Sequence, residues 1–446
     1  MNAKKILFAT IPADGHFNPL TGIAKHLQDL GHDVRWYTGG RYVTKAQNLG
    51  IPVYPFRTAK VVNQDTLEDL FPERQRLKGT IARLRFDINQ VFLNRAPEFV
   101  ADVIDIYQEF GFELLVCDAL FTGAPFIKQL LEVPVVTIGI VPFSESSRDL
   151  PPAGMGLEPA TGFWGKRKQD LLRYVTKNIL LKPCTDLYNR FLRQHGLVPT
   201  NDFVFDAFIR EADVYLQSGV PGFEYARRDM SPNVRFVGPL LPYSKGLRSS
   251  FAHYDKLRLY RKVILVTQGT VERDPEKIIV PTLDAFKDSE YLVIATTGGS
   301  QTDALRARYP QANLIIEDFV DFNEIMPYCD VYVTNGGYGG VMLSIQNGLP
   351  MVAAGVHEGK NEITSRIGYF NLGINLKTET PTPEQIRTQV KTVISNPVYR
   401  RNIARLQNEF STYRPNELCE TYIAEVLGES LRSPVPTIPK RQPVLV

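Results

Sequence analysis

The chain has 446 residues, 43% of them hydrophobic and 22% charged, with 51 Lys and Arg against 48 Asp and Glu. That length exceeds one ordinary core, so two domains are expected, and the near balance of charge argues against binding nucleic acid through charge alone. The cysteines at 117, 184, 329 and 419 show no CxxC or Cys/His ligand spacing, which argues against structural zinc and for reduced thiols in a cytoplasm.

The apolar run 6–11 is too short for a secretion signal. No stretch reaches the about 18 apolar residues that a membrane span needs. From the N-terminus, short apolar strands alternate with amphipathic helices: strand 5–10, helix 19–30 ended by Gly31, strand 33–38, strand 113–117, helix 124–131 and strand 135–139. This alternation predicts an α/β fold with a parallel sheet covered on both faces. Ligands of such sheets bind at the carboxyl ends of the strands. His16 and Asp118 both follow strands there. Two segments, 57–95 and 143–200, break the alternation and are expected to shape a substrate pocket. Within 166–193, Lys and Arg interleave with Leu and Tyr. Such a helix packs its apolar side on its own domain or, alternatively, lies on a membrane surface.

A proline-rich stretch, 231–246, reads as a boundary, after which the alternation restarts. Strand 262–267 leads to the turn Gln268-Gly269-Thr270, followed by helix 275–286, strand 291–296 and strand 313–317. The expected divisions are 1–240, 241–415, a helix within 416–432 crossing back to the first half, and a proline-rich tail, 433–446.

The most informative segment is 318–350. It reads as strand 331–334, then the turn Asn335-Gly336-Gly337-Tyr338-Gly339-Gly340, then a helix closed by Gly348-Leu349-Pro350. Glycines there let backbone N–H groups approach a ligand, and the helix directs its positive end at the same point, which suits a diphosphate. Asn335 can offer a side-chain amide to a phosphate oxygen. Phe319 can stack on a base. Across the sheet, Gly269 and Thr270 are placed to meet phosphate. Glu358 and Lys360, after strand 350–354, can bind sugar hydroxyls. His16 can deprotonate a hydroxyl while Asp118 holds its tautomer.

These pieces resemble the nucleotide-sugar-dependent glycosyltransferases of the plant natural-product and bacterial macrolide kind. The resemblance spans about 4–430 and is strongest at Gly15-His16-Phe17-Asn18-Pro19 and at 318–350. It implies the GT-B fold, two Rossmann-like domains facing across a cleft, with the acceptor on the first and the sugar nucleotide on the second. It implies His16 as catalytic base with Asp118 as its partner. For the donor it implies Gly15, Gln268, Gly269, Thr270, Phe319 in place of a stacking tryptophan, Val320 through its backbone, and Asn335 in place of a phosphate-binding histidine. Gly336, Gly337, Tyr338, Gly339, Gly340, Glu358 and Lys360 complete that set.

The chain departs from the pattern at Leu343, where the family has a ribose-binding acid, and at Gly359-Lys360, where it has an Asp/Glu-Gln pair. An inverting transfer without metal or other cofactor is expected. UDP-glucose is the expected donor, with a dTDP-deoxysugar next. The acceptor is expected to be a hydrophobic, hydroxylated small molecule held by Phe71, Phe86, Phe92 and Phe143, on a monomeric or dimeric enzyme. The alternatives are a lipid-directed glycosyltransferase on a membrane and a catalytically silent sugar-nucleotide binder.

Overall fold

The computed structural model describes residues 3–243, 251–269, 272–357 and 359–428. Two sheets, all parallel, carry the chain. The first holds β1 (Lys5–Ala9), β2 (Asp33–Thr38), β3 (Val53–Pro55), β4 (Leu114–Asp118), β5 (Val135–Gly139), β6 (Val214–Ser218) and β7 (Val234–Gly238) in the order β3-β2-β1-β4-β5-β6-β7. The second holds β8 (Lys262–Thr267), β9 (Tyr291–Thr296), β10 (Leu314–Glu317), β11 (Val331–Thr334), β12 (Met351–Ala353) and β13 (Gly373–Asn375) in the order β10-β9-β8-β11-β12-β13. Continuous apolar runs such as Ile6-Leu7-Phe8-Ala9 are fully buried, as strands covered on both faces must be. In each sheet the order of strand addition reverses once, between β1 and β4 and between β8 and β11, and opens a crevice at the carboxyl ends there.

Several elements differ from the sequence reading. The first helix runs Asp14–Asp29, five residues ahead of the expected start, with Pro19 inside it. Asp14 sits in its first turn and is held by Arg41 and Lys45 at 2.7 and 2.5 Å. A carboxylate there suits the helix dipole and outweighs the start signal of Pro19. The stretch 231–246, read as a boundary, contains β7, since Val234–Gly238 pairs with β6. The helix expected over 275–286 is Ile279–Phe286. The tail 433–446 lies outside the described residues.

The insertion 57–95 folds into short helical turns, including a π segment, Ile88–Phe92. The insertion 143–200 forms helix Gly162–Val175, a π segment Thr176–Leu180 and helix Lys182–Gln194. Its basic helix divides its apolar residues. Leu172 and Val175 are partly buried, whereas Trp164, Leu171, Tyr174 and Ile179 stand exposed. No helix among the described residues is long and apolar enough to cross a membrane.

The two lobes share one apolar cluster, which includes Ile6, Leu114 and Leu216 of the first sheet and Val263, Leu265 and Met351 of the second. An aromatic seam adds Phe223 and Tyr225 against Phe370, at ring separations of 6.0 and 6.1 Å. Helix Pro415–Val426 then returns to the first lobe. Its Leu418, Cys419 and Ile423 join the shared cluster, and Glu420 meets His26 at 2.7 Å.

Candidate active site

The crevice of the first sheet holds a histidine–carboxylate pair. His16, in the first turn of helix Asp14–Asp29, places Nδ1 2.7 Å from Oδ1 of Asp118, the last residue of β4. The Asp118 side chain has no exposure, whereas His16 keeps 15%. The carboxylate is further fixed by the N–H of Ile11 at 3.0 Å on Oδ2 and that of Leu120 at 2.9 Å on Oδ1. An imidazole oriented through Nδ1 by a buried carboxylate leaves Nε2 as the nitrogen able to take a proton. Gly15 next to it is exposed, and a Cβ there would meet no atom within 4 Å.

The crevice of the second sheet holds the glycine turn. Gly336 has φ +83°, a left-handed conformation suited to glycine, and a Cβ there would lie 2.6 Å from Thr364 Cγ2. Helix Tyr338–Gln346 follows, and no side chain caps it. The N–H groups of Tyr338, Gly339 and Gly340 therefore lack intrahelical acceptors and form a ready anion site. Gly269, after β8, faces this turn, with its Cβ position 3.6 Å from the Asn335 amide.

Two side chains expected to bind the donor are engaged elsewhere: Asn335, expected to meet phosphate, and Gln268. Asn335 is buried, donates Nδ2 to the carbonyl of Gln268 and accepts the N–H of Gly337 at 3.3 Å. Its amide fastens β8 to β11 across the crevice, where the sequence reading had it offered to phosphate. Gln268 is also buried, and its Oε1 accepts the N–H groups of Ile278 and Ile279 at 2.9 and 3.1 Å while Nε2 donates to the Asp274 carbonyl at 2.8 Å. Its side chain thus shapes the segment leading into helix Ile279–Phe286. Tyr338 donates its hydroxyl to the carbonyl of Ser218, the last residue of β6, at 2.7 Å. This bond joins the carboxyl edges of the two sheets, so the glycine turn opens toward the first lobe. Burial pushes the Tyr338 hydroxyl far above its ordinary pKa, which keeps it a donor.

Phe319 is 69% exposed beside Gly299, whose Cβ position lies 3.8 Å from its ring, a large apolar face with no cover. Val320 packs partly buried against the core, leaving its backbone as the available contact. Thr270 and Glu358 lie outside the described residues. Lys360 opens helix Lys360–Tyr369, with Gly359 at its N-cap, and its Cβ lies 3.9 Å from that of a side chain built on Gly336. Leu343, on helix Tyr338–Gln346, packs partly buried against the shared core.

The four phenylalanines do not converge on one pocket wall. Phe143 is buried with Ile209, Tyr215 and Val234 under the guanidinium of Arg227, 4.8 Å from its ring, and is a core residue. A bulky apolar side chain one turn beyond β5 is drawn into the nearest core. Phe71 is buried against Phe86, edge to face at 6.0 Å. Phe92 ends the π segment and packs on the core beneath the first sheet.

The sequence reading missed a charged cluster behind the loop that follows β12. Glu379 accepts the N–H groups of Val356 and His357 at 2.7 and 3.0 Å. Lys277 lies 3.6 Å from it and also pairs with Glu272. Burial raises the Glu379 carboxyl, but those N–H groups and the charge of Lys360 outweigh burial and leave it below the ordinary value. Nothing in the local spacing announces the cluster, because Glu379 comes from the loop after β13 whereas Glu272 and Lys277 share the loop after β8.

Residues 281–425 match the family described as the C-terminal domain of erythromycin biosynthesis protein CIII-like proteins. The chain is 33% identical over 407 residues to 4'-demethylrebeccamycin synthase of Lentzea aerocolonigenes, covering 91% of this chain and 96% of that protein. It is 28% identical over 429 residues to UDP-glucosyltransferase 1 of Beauveria bassiana (strain ARSEF 2860), covering 91% of each. Among solved structures, the glycotransferase of kitacinnamycin superposes with a TM-score of 0.75 at 16% identity, covering 96% of this chain and all of that one, a likeness of fold.

Proposed function

The chain belongs to the nucleotide-sugar-dependent glycosyltransferases of the natural-product kind, with the two-lobed GT-B fold, and on that premise we propose an inverting transfer from a UDP-sugar, UDP-glucose first, to a hydroxyl of a hydrophobic small molecule. The observation that carries the reading is the meeting of two crevices. A carboxylate-held imidazole occupies one, an uncapped glycine turn occupies the other, and the Tyr338–Ser218 bond joins the strand ends between them.

In this reading His16 Nε2 takes the proton of the acceptor hydroxyl, and buried Asp118 stabilises the imidazolium that forms. The freed oxygen attacks the anomeric carbon from the face opposite the leaving diphosphate. The N–H groups of Tyr338, Gly339 and Gly340, at the positive helix end, stabilise the charge that grows on that diphosphate. Phe319 supports the base, as its exposure favours. With Asn335 and Gln268 engaged inside the protein, phosphate contact falls to backbone groups. Lys360 and the loop held by Glu379 face the sugar.

The test is direct. The protein is incubated with UDP-glucose, and separately with dTDP-sugars, against a library of phenols, terpenoids and macrolides. A mass gain of one hexose on an acceptor is expected, with the anomeric configuration of the product inverted relative to the donor. Donor turnover without any glycosylated acceptor, or retention of configuration, overturns the reading.

A further inference from the structure

A further set of polar contacts ties the first-lobe insertion to helix Lys360–Tyr369 of the second lobe. Glu362, in the first turn of that helix, accepts the N–H groups of Gly154 and Gly156 on one oxygen, at 2.9 and 2.7 Å. Asn361 donates its amide to the Gly154 carbonyl at 2.9 Å, and Ser365 donates its hydroxyl to the Gly156 carbonyl at 2.6 Å. Four hydrogen bonds thus grip a three-residue bend. A Cβ on Gly156, which has φ +62°, would stand 2.7 Å from the Asn361 Cβ, so only glycine lets the bend approach this closely.

Behind the bend, the other Glu362 oxygen lies 3.0 Å from Arg366 Nη1. Arg366 is 3% exposed and also meets Glu224, with Nε and Nη2 at 2.9 and 2.8 Å from one oxygen. Its guanidinium lies 4.5 Å from the Tyr225 ring centre. The second Glu224 oxygen accepts the N–H of Phe143 at 2.9 Å, just beyond β5. The contacts therefore run unbroken from the bend to the carboxyl edge of the first sheet. Exposed ion pairs hold little, but here the cation is buried and both carboxylates are mostly covered and bonded to backbone N–H groups.

We propose that Glu362 is a positioning residue for the acceptor: through Gly154 and Gly156 it sets the acceptor-side insertion against the donor lobe, so that the pocket wall takes its place from the helix that begins at Lys360. This rests on the glycosyl-transfer reading. The helix starts directly behind the sugar-facing loop, and a bend fixed to it keeps a constant offset from the donor. Release of the bend would let the acceptor sit loosely, leaving the nucleotide contacts at Phe319 and the glycine turn as they are.

The test uses the full chain, UDP-glucose, and the acceptor that gains mass with the wild-type protein. Glu362→Gln keeps the shape but weakens both N–H bonds and the Arg366 pair. It is expected to raise acceptor KM roughly tenfold, as loss of charge-assisted bonds does, with kcat and the calorimetric Kd for UDP within about twofold of wild type. Ser365→Ala removes one neutral bond and leaves the ion pair intact. A rise in the same direction, about threefold, is expected, and this variant decides the matter if Glu362→Gln does not fold. Unchanged acceptor KM in a folded variant overturns the proposal. So does a parallel fall of kcat, UDP affinity and Tm, which would mark a purely structural role. Failure of the transfer reading appears separately, as no product from the wild-type chain with any acceptor.

Discussion

His16 and Asp118, 102 residues apart, meet at 2.7 Å where β1 and β4 lie side by side. Each comes from the carboxyl end of its strand, so the reversal of strand order alone places them together. His16→Ala is expected to lower kcat by about 10²–10⁴-fold, the range for loss of a general base. Asp118→Asn should cause a smaller loss, since the amide still accepts a hydrogen bond without stabilising the cation. In both variants UDP binding measured by calorimetry should match wild type, because neither residue lies in the second sheet.

Phe319 offers an exposed ring and little to the core. Phe319→Ala is expected to leave Tm unchanged and to weaken UDP binding by about 1–3 kcal/mol, the range for removing one base-stacking aromatic. Phe319→Trp should retain or tighten it. Titration of both variants with UDP separates stacking from an incidental surface position.

Two glycines beside the turn should behave in opposite ways. A Cβ on Gly355 would lie 2.0 Å from the carbonyl oxygen of Asn335, a backbone atom that cannot step aside. Gly355→Ala should cost about 1–3 kcal/mol of stability, as overpacking does. On Gly339 a Cβ meets nothing within 4 Å. Gly339→Ala should raise stability by up to about 1 kcal/mol through helix propensity, while weakening UDP binding because the methyl stands at the anion site. Thermal melts with and without UDP read both effects.

Asp102 is buried and accepts the N–H groups of Arg57, Thr58 and Ala59 together with the Tyr37 hydroxyl. Burial raises its carboxyl, yet these donors outweigh burial and hold it below the ordinary value. A lowered native pKa contributes stability that is full above the unfolded value of about 3.9 and is lost as pH falls through the native one. Acid melts should therefore show wild-type stability falling below about pH 4. Asp102→Asn should be less stable at neutral pH and lose less on acidification. An equal acid loss in both proteins overturns this assignment.

Both crevices and the central strands other than β6 were legible in the sequence, because buried parallel strands announce themselves as unbroken apolar runs; β6, Val214–Ser218, was not predicted although it lies inside the first sheet. Nor were the edge strands β3 and β13. At three residues each, they are too short for a pattern to rise above chance. The strand Val234–Gly238 was hidden by the prolines on either side of it. Sequence placed Asn335 and Gln268 correctly in the chain but could not show that each had already found a partner within the fold, since those partners lie 67 and 10 residues away. The Glu362–Arg366–Glu224 chain spans 142 residues between its last two members and leaves no local signature.

Helix Pro415–Val426 has a consequence for how the molecule comes into being. Its Leu418, Cys419 and Ile423 cover apolar surface belonging to the part of the chain synthesised first. The first lobe by itself therefore has an unfinished flank, which waits for this helix before it is sealed. Removal of the helix that begins at Pro415 would thus damage the first lobe from a distance.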